Sequence, residues 1–179
     1  MTGRQLTARL AQLQDLALLK SLMDAAITEL QQPFLNAEQI ESSRAIMGLD
    51  TQLIQDGTYF IIESAGATAG CGGWSDRATL YGGDLTSGRS PALLDPDRDA
   101  ARIRAMYTHP LHTRKGVGRM IIGLCEVAAR AKGFRRIELM ATMAGEALYR
   151  ACGYEPVESV EDNRGGASVP LLRMQKRLR

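Results

Sequence analysis

Between residues 13 and 31 the apolar positions recur every three or four residues. Leu13, Leu16, Ala17 and Lys20 open a stripe that Leu19, Leu22, Met23, Ala26, Ile27 and Leu30 continue. That period predicts an amphipathic helix. A short strand, Leu6 to Leu10, precedes it. Pro33 stops or follows the helix, and Asn36 is suited to cap a second one running to about residue 48, where Gly48 can close it. The pattern then changes. Residues 58–63 (TYFIIE) are rich in β-branched and aromatic types and read as a strand. After a turn at Gly66, residues 69–75 (AGCGGWS) read as its partner, with glycines that weaken the strand but allow close backbone approach. A turn-rich connection follows over residues 76–99. Loops of this length in a compact domain are functional or mobile.

The second half alternates element types. Residues 101–108 (ARIRAMYT) read as a strand, and 116–132 as a helix with Ile121, Leu124, Cys125 and Ala128 on one face. Residues 134–140 read as a strand, 143–152 as a short helix closed by Gly153, and 154–160 and 169–174 as two last strands. The order is β-α-α-β-β-β-α-β-α-β-β, a mixed α/β fold of about seven strands and four helices. Its strand–helix–strand unit predicts a parallel pair.

Composition narrows this picture. The 179 residues suit one domain, 1–179. With 45% hydrophobic and 23% charged residues, wholesale disorder is excluded. A net charge of +2 gives no overall signal for nucleic acid. Three cysteines without a C-x-x-C pair, and two histidines, exclude a zinc finger or a disulfide framework, so no metal is expected. His109 and His112 read as loop-shaping residues, and Cys152 as a small packed one. No stretch of 18 apolar residues occurs, and the N-terminus (MTGRQLTARLAQLQD) turns polar too soon for a signal peptide. A cytoplasmic protein without membrane or nucleic-acid partners is expected, although salt-sensitive nucleic-acid binding by the basic loop at 109–119 is a weaker third reading.

The start of the helix at 116 carries the strongest chemical signal. A helix N-terminus presents unpaired N–H groups and the positive end of the dipole, and normally attracts an acid or a capping hydroxyl. Here the approach and first turn hold Arg114, Lys115 and Arg119 with no acid nearby, and Gly116 and Gly118 flank Val117. A bound polyanion would satisfy both the amides and the cations. The G-x-x-x-x-G-K-[ST] and G-x-G-x-x-G phosphate motifs are both absent. Solvated basic residues at a glycine-containing helix start are the alternative.

The wider context is a strand ending in His109-Pro110, then Arg114-Lys115-Gly116-Val117-Gly118-Arg119, a helix, a strand, and Ala147-Leu148-Tyr149-Arg150-Ala151-Cys152-Gly153-Tyr154. It resembles the GNAT superfamily of acetyl-CoA-dependent N-acetyltransferases, closely over residues 101–156 and more loosely over 5–100. In the family's [Gln/Arg]-x-x-Gly-x-[Gly/Ala] motif, Thr113 takes the first position. The resemblance implies a mostly antiparallel sheet whose central parallel pair splays apart. It implies that the coenzyme A pyrophosphate lies on the amides of Thr113, Arg114, Lys115, Gly116, Val117, Gly118 and Arg119. The pantetheine arm would run between the strands at 101–108 and 134–140, pairing with backbone groups of Met106, Tyr107 and Thr108. The N–H of Met106 or Tyr107 would point at the thioester oxygen, and Thr142 stands where the family often has Asn.

On the helix at 143–152, Ala144, Ala147, Leu148 and Ala151 share one stripe, the main apolar face, and Tyr149 lies about 100° round from Leu148, off that face. It can point toward the cleft and protonate the leaving thiolate, the role the resemblance implies for it. An amine acceptor has to shed a proton, so Glu63, Asp76 and Asp84 are candidate bases, although a solvated surface carboxylate is the favoured reading of each. Arg102 and Arg104 occupy the strand where some relatives place a catalytic Glu. They disfavour a carboxylate there and hint at an anionic group on the substrate, or else lie on an exposed sheet face. Trp74 reads as a substrate platform or a core residue, and the 81–89 loop as a lid or a loose connection. The function implied is acetyl transfer from acetyl-CoA to a small-molecule or peptide amine, with homodimerisation left open. The alternative is a non-catalytic acyl-CoA-binding module.

Overall fold

The structure is a computed structural model that describes residues 5–179. Residues 1–4 of the N-terminal segment read above lie outside it. The first half of the chain contains β1 (Leu6–Leu10), α1 (Leu16–Leu30), α2 (Ala37–Ser43), α3 (Thr51–Gln55), β2 (Tyr59–Ser64) and β3 (Ala67–Ser75). The second contains β4 (Ala101–Thr108), α4 (Val117–Ala131), β5 (Arg136–Thr142), α5 (Glu146–Ala151), β6 (Glu155–Asp162) and β7 (Val169–Arg177). The described strands form one sheet in the order β1-β2-β3-β4-β5-β7-β6. All neighbours run antiparallel except β4 and β5. No helix among the described residues is long and apolar enough to cross a membrane.

Each flank of the sheet has its own packed cluster. Leu19, Leu22, Met23, Ala26 and Ile27 of α1 pack with Leu53, Tyr59, Ile61 and Tyr107. Ile121, Ile122, Cys125 and Ala129 of α4 pack with Ile103, Ile137 and Leu139. The β3 glycines let α4 settle directly on the strand. A Cβ at Gly70 would come within 2.5 Å of Val117, and one at Gly72 within 2.6 Å of Ile121.

Two expectations for the first half are corrected. The second helix ends at Ser43, not near 48, because the chain tightens into i+3 bonds: Ala45 N–H to Ser42 O and Ile46 N–H to Ser43 O. The hydroxyl of Ser42 also donates to Ala167 O at 2.7 Å, pinning that end to the β6–β7 turn. A further helix, α3, then appears, giving five among the described residues. Its Thr51 N–H is capped at 3.0 Å by the carboxylate of Asp84 on the long connection.

That connection is neither loose nor free of the body. Arg77 grips Asp56 at 2.7 and 2.9 Å, and Arg89 reaches Asp50 at 3.0 Å. Tyr81 donates to Asp162 at 2.7 Å, and Arg164 both pairs with Asp162 at 2.6 Å and lies over the Tyr81 ring at 5.1 Å. Arg164 holds the Asp162 carboxyl down at about 2, from an ordinary 3.8. Because the folded value is depressed, this stabilisation is complete above pH 3.8 and is lost as pH falls through about 2. Its size is about 2 kcal/mol. Asp162→Asn is therefore expected to lower the unfolding free energy by about 1–2 kcal/mol at pH 7 and to speed proteolytic nicking near Leu85. Urea melts and limited proteolysis check this; equal stability and equal nicking would refute the clamp.

Candidate active site

The sheet opens at its centre. β4 and β5 pair only at Ala101 with Ile137 and Arg102 with Glu138. Beyond that point β4 stays with β3 as far as Thr108, while β5 follows β7 as far as Thr142. A bulge deepens the split. The β3–β4 register shifts between Cys71 and Gly73, and opposite it Ala105 adopts a left-handed φ of 51°. An extra residue in a strand leaves backbone groups outside the ladder and re-aims them. Tyr59 fixes this bulge: its hydroxyl donates to Ala105 O at 2.7 Å.

Two cavities meet at the split. The larger, about 580 Å³, runs from the start of α4 along α5 to the end of α1. The smaller, about 90 Å³, lies between Ile46–Gly48, Leu80–Gly82 and the inner halves of β4 and β5. Met47, Met106, Tyr107, Thr142 and Tyr149 line both.

At one end of the larger cavity α4 begins without a side-chain cap. Gly116, its N-cap, has a φ of 84°, and no acid occupies the first turn. Arg114, two residues earlier, is also left-handed at 61°. Left-handed residues alternating with others turn successive N–H groups inward into an anion-binding concavity. Arg114 and Arg119 are exposed there, whereas the Lys115 ammonium turns back to Leu111 O at 2.6 Å. Gly118 has a different job from Gly116. It is buried against α5, and a Cβ would stand 2.4 Å from Leu148. Thr113 bonds Pro110 O at 3.2 Å, and His109 Nδ1 accepts from Leu111 N–H at 3.1 Å, so both shape the approach.

Tyr149 needs a correction. Ala147 and Ala151 are exposed, and the stripe Ala144, Ala147, Leu148, Ala151 is wall of the larger cavity, not core. The small alanines leave space there. Tyr149 is the buried residue of α5, 8% exposed, edge-on to Tyr154 at 6.1 Å. Its hydroxyl still reaches the split, 3.8 Å from Met106 Sδ. Burial pushes the phenol well above its ordinary range, so it stays protonated. Burial also raises the Cys152 thiol, and Cys71 is pushed up to about 12; neither is an activated nucleophile.

Several other expected site residues lie elsewhere. Trp74 is 5% exposed and packs edge-on against Phe134 at 6.3 Å, on the α4 side of the sheet. It is core, not a substrate platform. Asp84 caps α3, Glu63 pairs with Arg9 at 3.1 Å on the β1–β2 edge, and Asp76 lines neither cavity. Among the described residues no carboxylate lines either cavity. Arg102 and Arg104 are not an exposed face. Arg102 is ion-paired with Glu138, and Arg104, 3% exposed, with Asp50. Sequence reading missed Tyr59, Asp50 and Gln31. Gln31, 3% exposed on the larger cavity, gives its amide N–H to Ser43 at 3.1 Å while its Oε1 has no partner among the described residues.

The sequence profile of the acetyltransferase (GNAT) family matches residues 20–154. Curated proteins gave no match. Among solved structures, a GCN5-related N-acetyltransferase from Rhodopseudomonas palustris superposes with a TM-score of 0.74 at 21% identity, covering 99% of each chain. The PaiA N-acetyltransferase of Thermoplasma acidophilum, solved in complex with coenzyme A, gives 0.67 at 14% identity over 97% of this chain and 99% of its own. YncA of Salmonella typhimurium, solved with its cofactor acetyl-CoA, gives 0.63 at 18% identity over 97% and 94%.

Proposed function

The chain belongs to the acetyltransferase (GNAT) family, and from that premise we propose that it moves an acetyl group from acetyl-CoA to an amine by direct attack in a ternary complex. Residues 1–179 then act as one acetyltransferase domain. The observation that carries this reading is the start of α4, where a left-handed glycine replaces the side-chain cap and exposed arginines replace acids. Such an end suits a diphosphate. In this reading the amides of residues 114–119 hold the coenzyme pyrophosphate. The backbone of Met106, Tyr107 and Thr108 and the side chain of Thr142 hold the pantetheine arm in the split between β4 and β5. The coenzyme complexes of PaiA and YncA, on the same fold, support this arrangement.

The co-substrate supplies an activated thioester carbonyl. The Met106 N–H, next to the Ala105 bulge, donates to the carbonyl oxygen as it gains negative charge. One aimed donor of this kind is worth about 2.7–4 kcal/mol. The amine nitrogen bonds to the carbonyl carbon, the carbon–sulfur bond breaks, and Tyr149 donates its phenolic hydrogen toward the departing sulfur. With no carboxylate on either cavity wall among the described residues, the amine arrives as free base and its proton goes to solvent.

Titration calorimetry with coenzyme A and acetyl-CoA, followed by thiol release with a panel of amines, tests the proposal. Saturable heat and amine-dependent thiol release are expected. No heat with either compound refutes it. Heat without thiol release for any amine leaves the non-catalytic acyl-CoA-binding alternative.

A further inference from the structure

The smaller cavity contains a buried guanidinium whose bonding is incomplete. Arg104 lines that cavity at 3% exposure. Its Nη2 pairs with Asp50 Oδ2, and its Nη1 lies 3.4 Å from Ser75 Oγ. Its Nε–H has no partner among the described residues. A buried donor left unpaired is costly and calls for a ligand or another explanation.

The surrounding charges point the same way. Asp50, whose side chain is fully buried, faces two guanidinium groups, Arg104 on one oxygen and Arg89 at 3.0 Å on the other. The nearby carboxylates are committed elsewhere. Asp56 is gripped by Arg77, and Asp84 caps Thr51 and stands 3.9 Å from Arg89. Burial is the largest influence against the charge on Arg104, with Arg89 adding to it and Asp50 opposing both. A second donor adjoins. The Tyr107 hydroxyl accepts from Gly48 N–H at 2.8 Å, but its own hydrogen has no acceptor among the described residues. Tyr107 lines the same cavity.

Resting on the acetyl-transfer reading above, we propose that the acceptor is a small amino carboxylate whose carboxylate is bound in this cavity by Arg104 Nε–H and Tyr107 O–H. A carboxylate has several acceptor lone pairs, and a guanidinium fork suits it. Met47, Leu80, Leu139 and Leu171 add apolar wall, and the space is only about 90 Å³, so the carboxylate end has to be compact. The amine is thereby presented to the split at Met106 and Tyr149, where the two cavities join.

The test compares amino acids, their amides and the corresponding decarboxylated amines as acceptors for the wild-type chain, with acetyl-CoA binding measured separately. A site built around unpaired donors rejects analogues that lack the matching group. The acids are expected to exceed amides and amines in kcat/KM by at least about 100-fold. Arg104→Lys keeps a cation for Asp50 but loses the Nε–H, and it should reduce that ratio at least about tenfold. Tyr107→Phe, which leaves the ion pair intact, should reduce the ratio as well if Arg104→Lys fails to fold. If acetyl-CoA binds and amides or amines react as well as acids, the carboxylate inference falls and acetyl transfer stands. Coenzyme binding with no member of the series turned over also overturns the inference. Absence of coenzyme binding removes both.

Discussion

Tyr149→Phe is expected to lower kcat by roughly 10²–10³-fold, the range for losing one aimed hydrogen-bond donor, while leaving the affinity for coenzyme A within about twofold. The ring stays edge-on to Tyr154 and buried in α5's inner face, so packing survives. Among the described residues the hydroxyl makes a single hydrogen bond, a long one to sulfur, 3.8 Å to Met106. Losing it should change the melting temperature little. The raised phenol pKa also shapes the expected pH behaviour. Burial keeps the group protonated, so wild-type kcat should show no loss below pH 10 from phenol ionisation. Because a coenzyme thiolate has a cysteine-like pKa of about 8.5, complete transfer from this phenol is uphill. The hydroxyl therefore works chiefly by stabilising charge on sulfur as the bond to carbon stretches. Single-turnover thiol release by the variant checks the assignment. A rate within threefold of wild type across pH 6–9 would remove Tyr149 from the chemistry.

The parts of this site that could be read from the chain are those whose signals are local. Gly116, Gly118 and the acid-free cluster Arg114, Lys115, Arg119 lie within six residues, and the strand–helix–strand unit around them has clear periodicity. What escaped the reading depends on distant partners. The cap of α3 comes from Asp84, 33 residues from Thr51. Arg104 looked like a surface cation because its partner Asp50 is 54 residues away. Trp74 failed for another reason. Alternation along β3 is regular here: would-be Cβ atoms at Gly70 and Gly72 meet α4, and Trp74 packs on that same side. Both faces of the strand are covered by helices, so residue parity could not say whether that face was core or cleft. On α5, an alanine stripe looked like core because cavity walls and cores share small apolar residues; the space they leave is visible only in three dimensions.

Replacing glycines along α4 should separate the anion cradle from ordinary helix stability. Gly118→Val is expected to weaken coenzyme A binding by at least about 100-fold, because its Cβ would lie 2.4 Å from Leu148 and within 3.7 Å of Met106, forcing α5 away from the cradle and filling the cavity wall. Gly116→Ala probes conformation alone. Its nearest neighbour, Leu6, would be 4.0 Å off, so the cost is that of a left-handed alanine, about 1–2 kcal/mol. If that strain opens the cradle, affinity falls about 5–30-fold. Gly123 supplies the control on the same helix. It has a right-handed helical setting with nothing within 4 Å of its would-be Cβ, so Gly123→Ala should stabilise the fold by about 0.5–1 kcal/mol and leave binding unchanged. Calorimetric titration of the three variants, alongside their melting curves, distinguishes the causes. A binding loss that merely tracked stability would place the coenzyme elsewhere. Loss confined to positions 116 and 118 ties the diphosphate to the first turn of α4, since a change one turn further along the helix leaves it untouched.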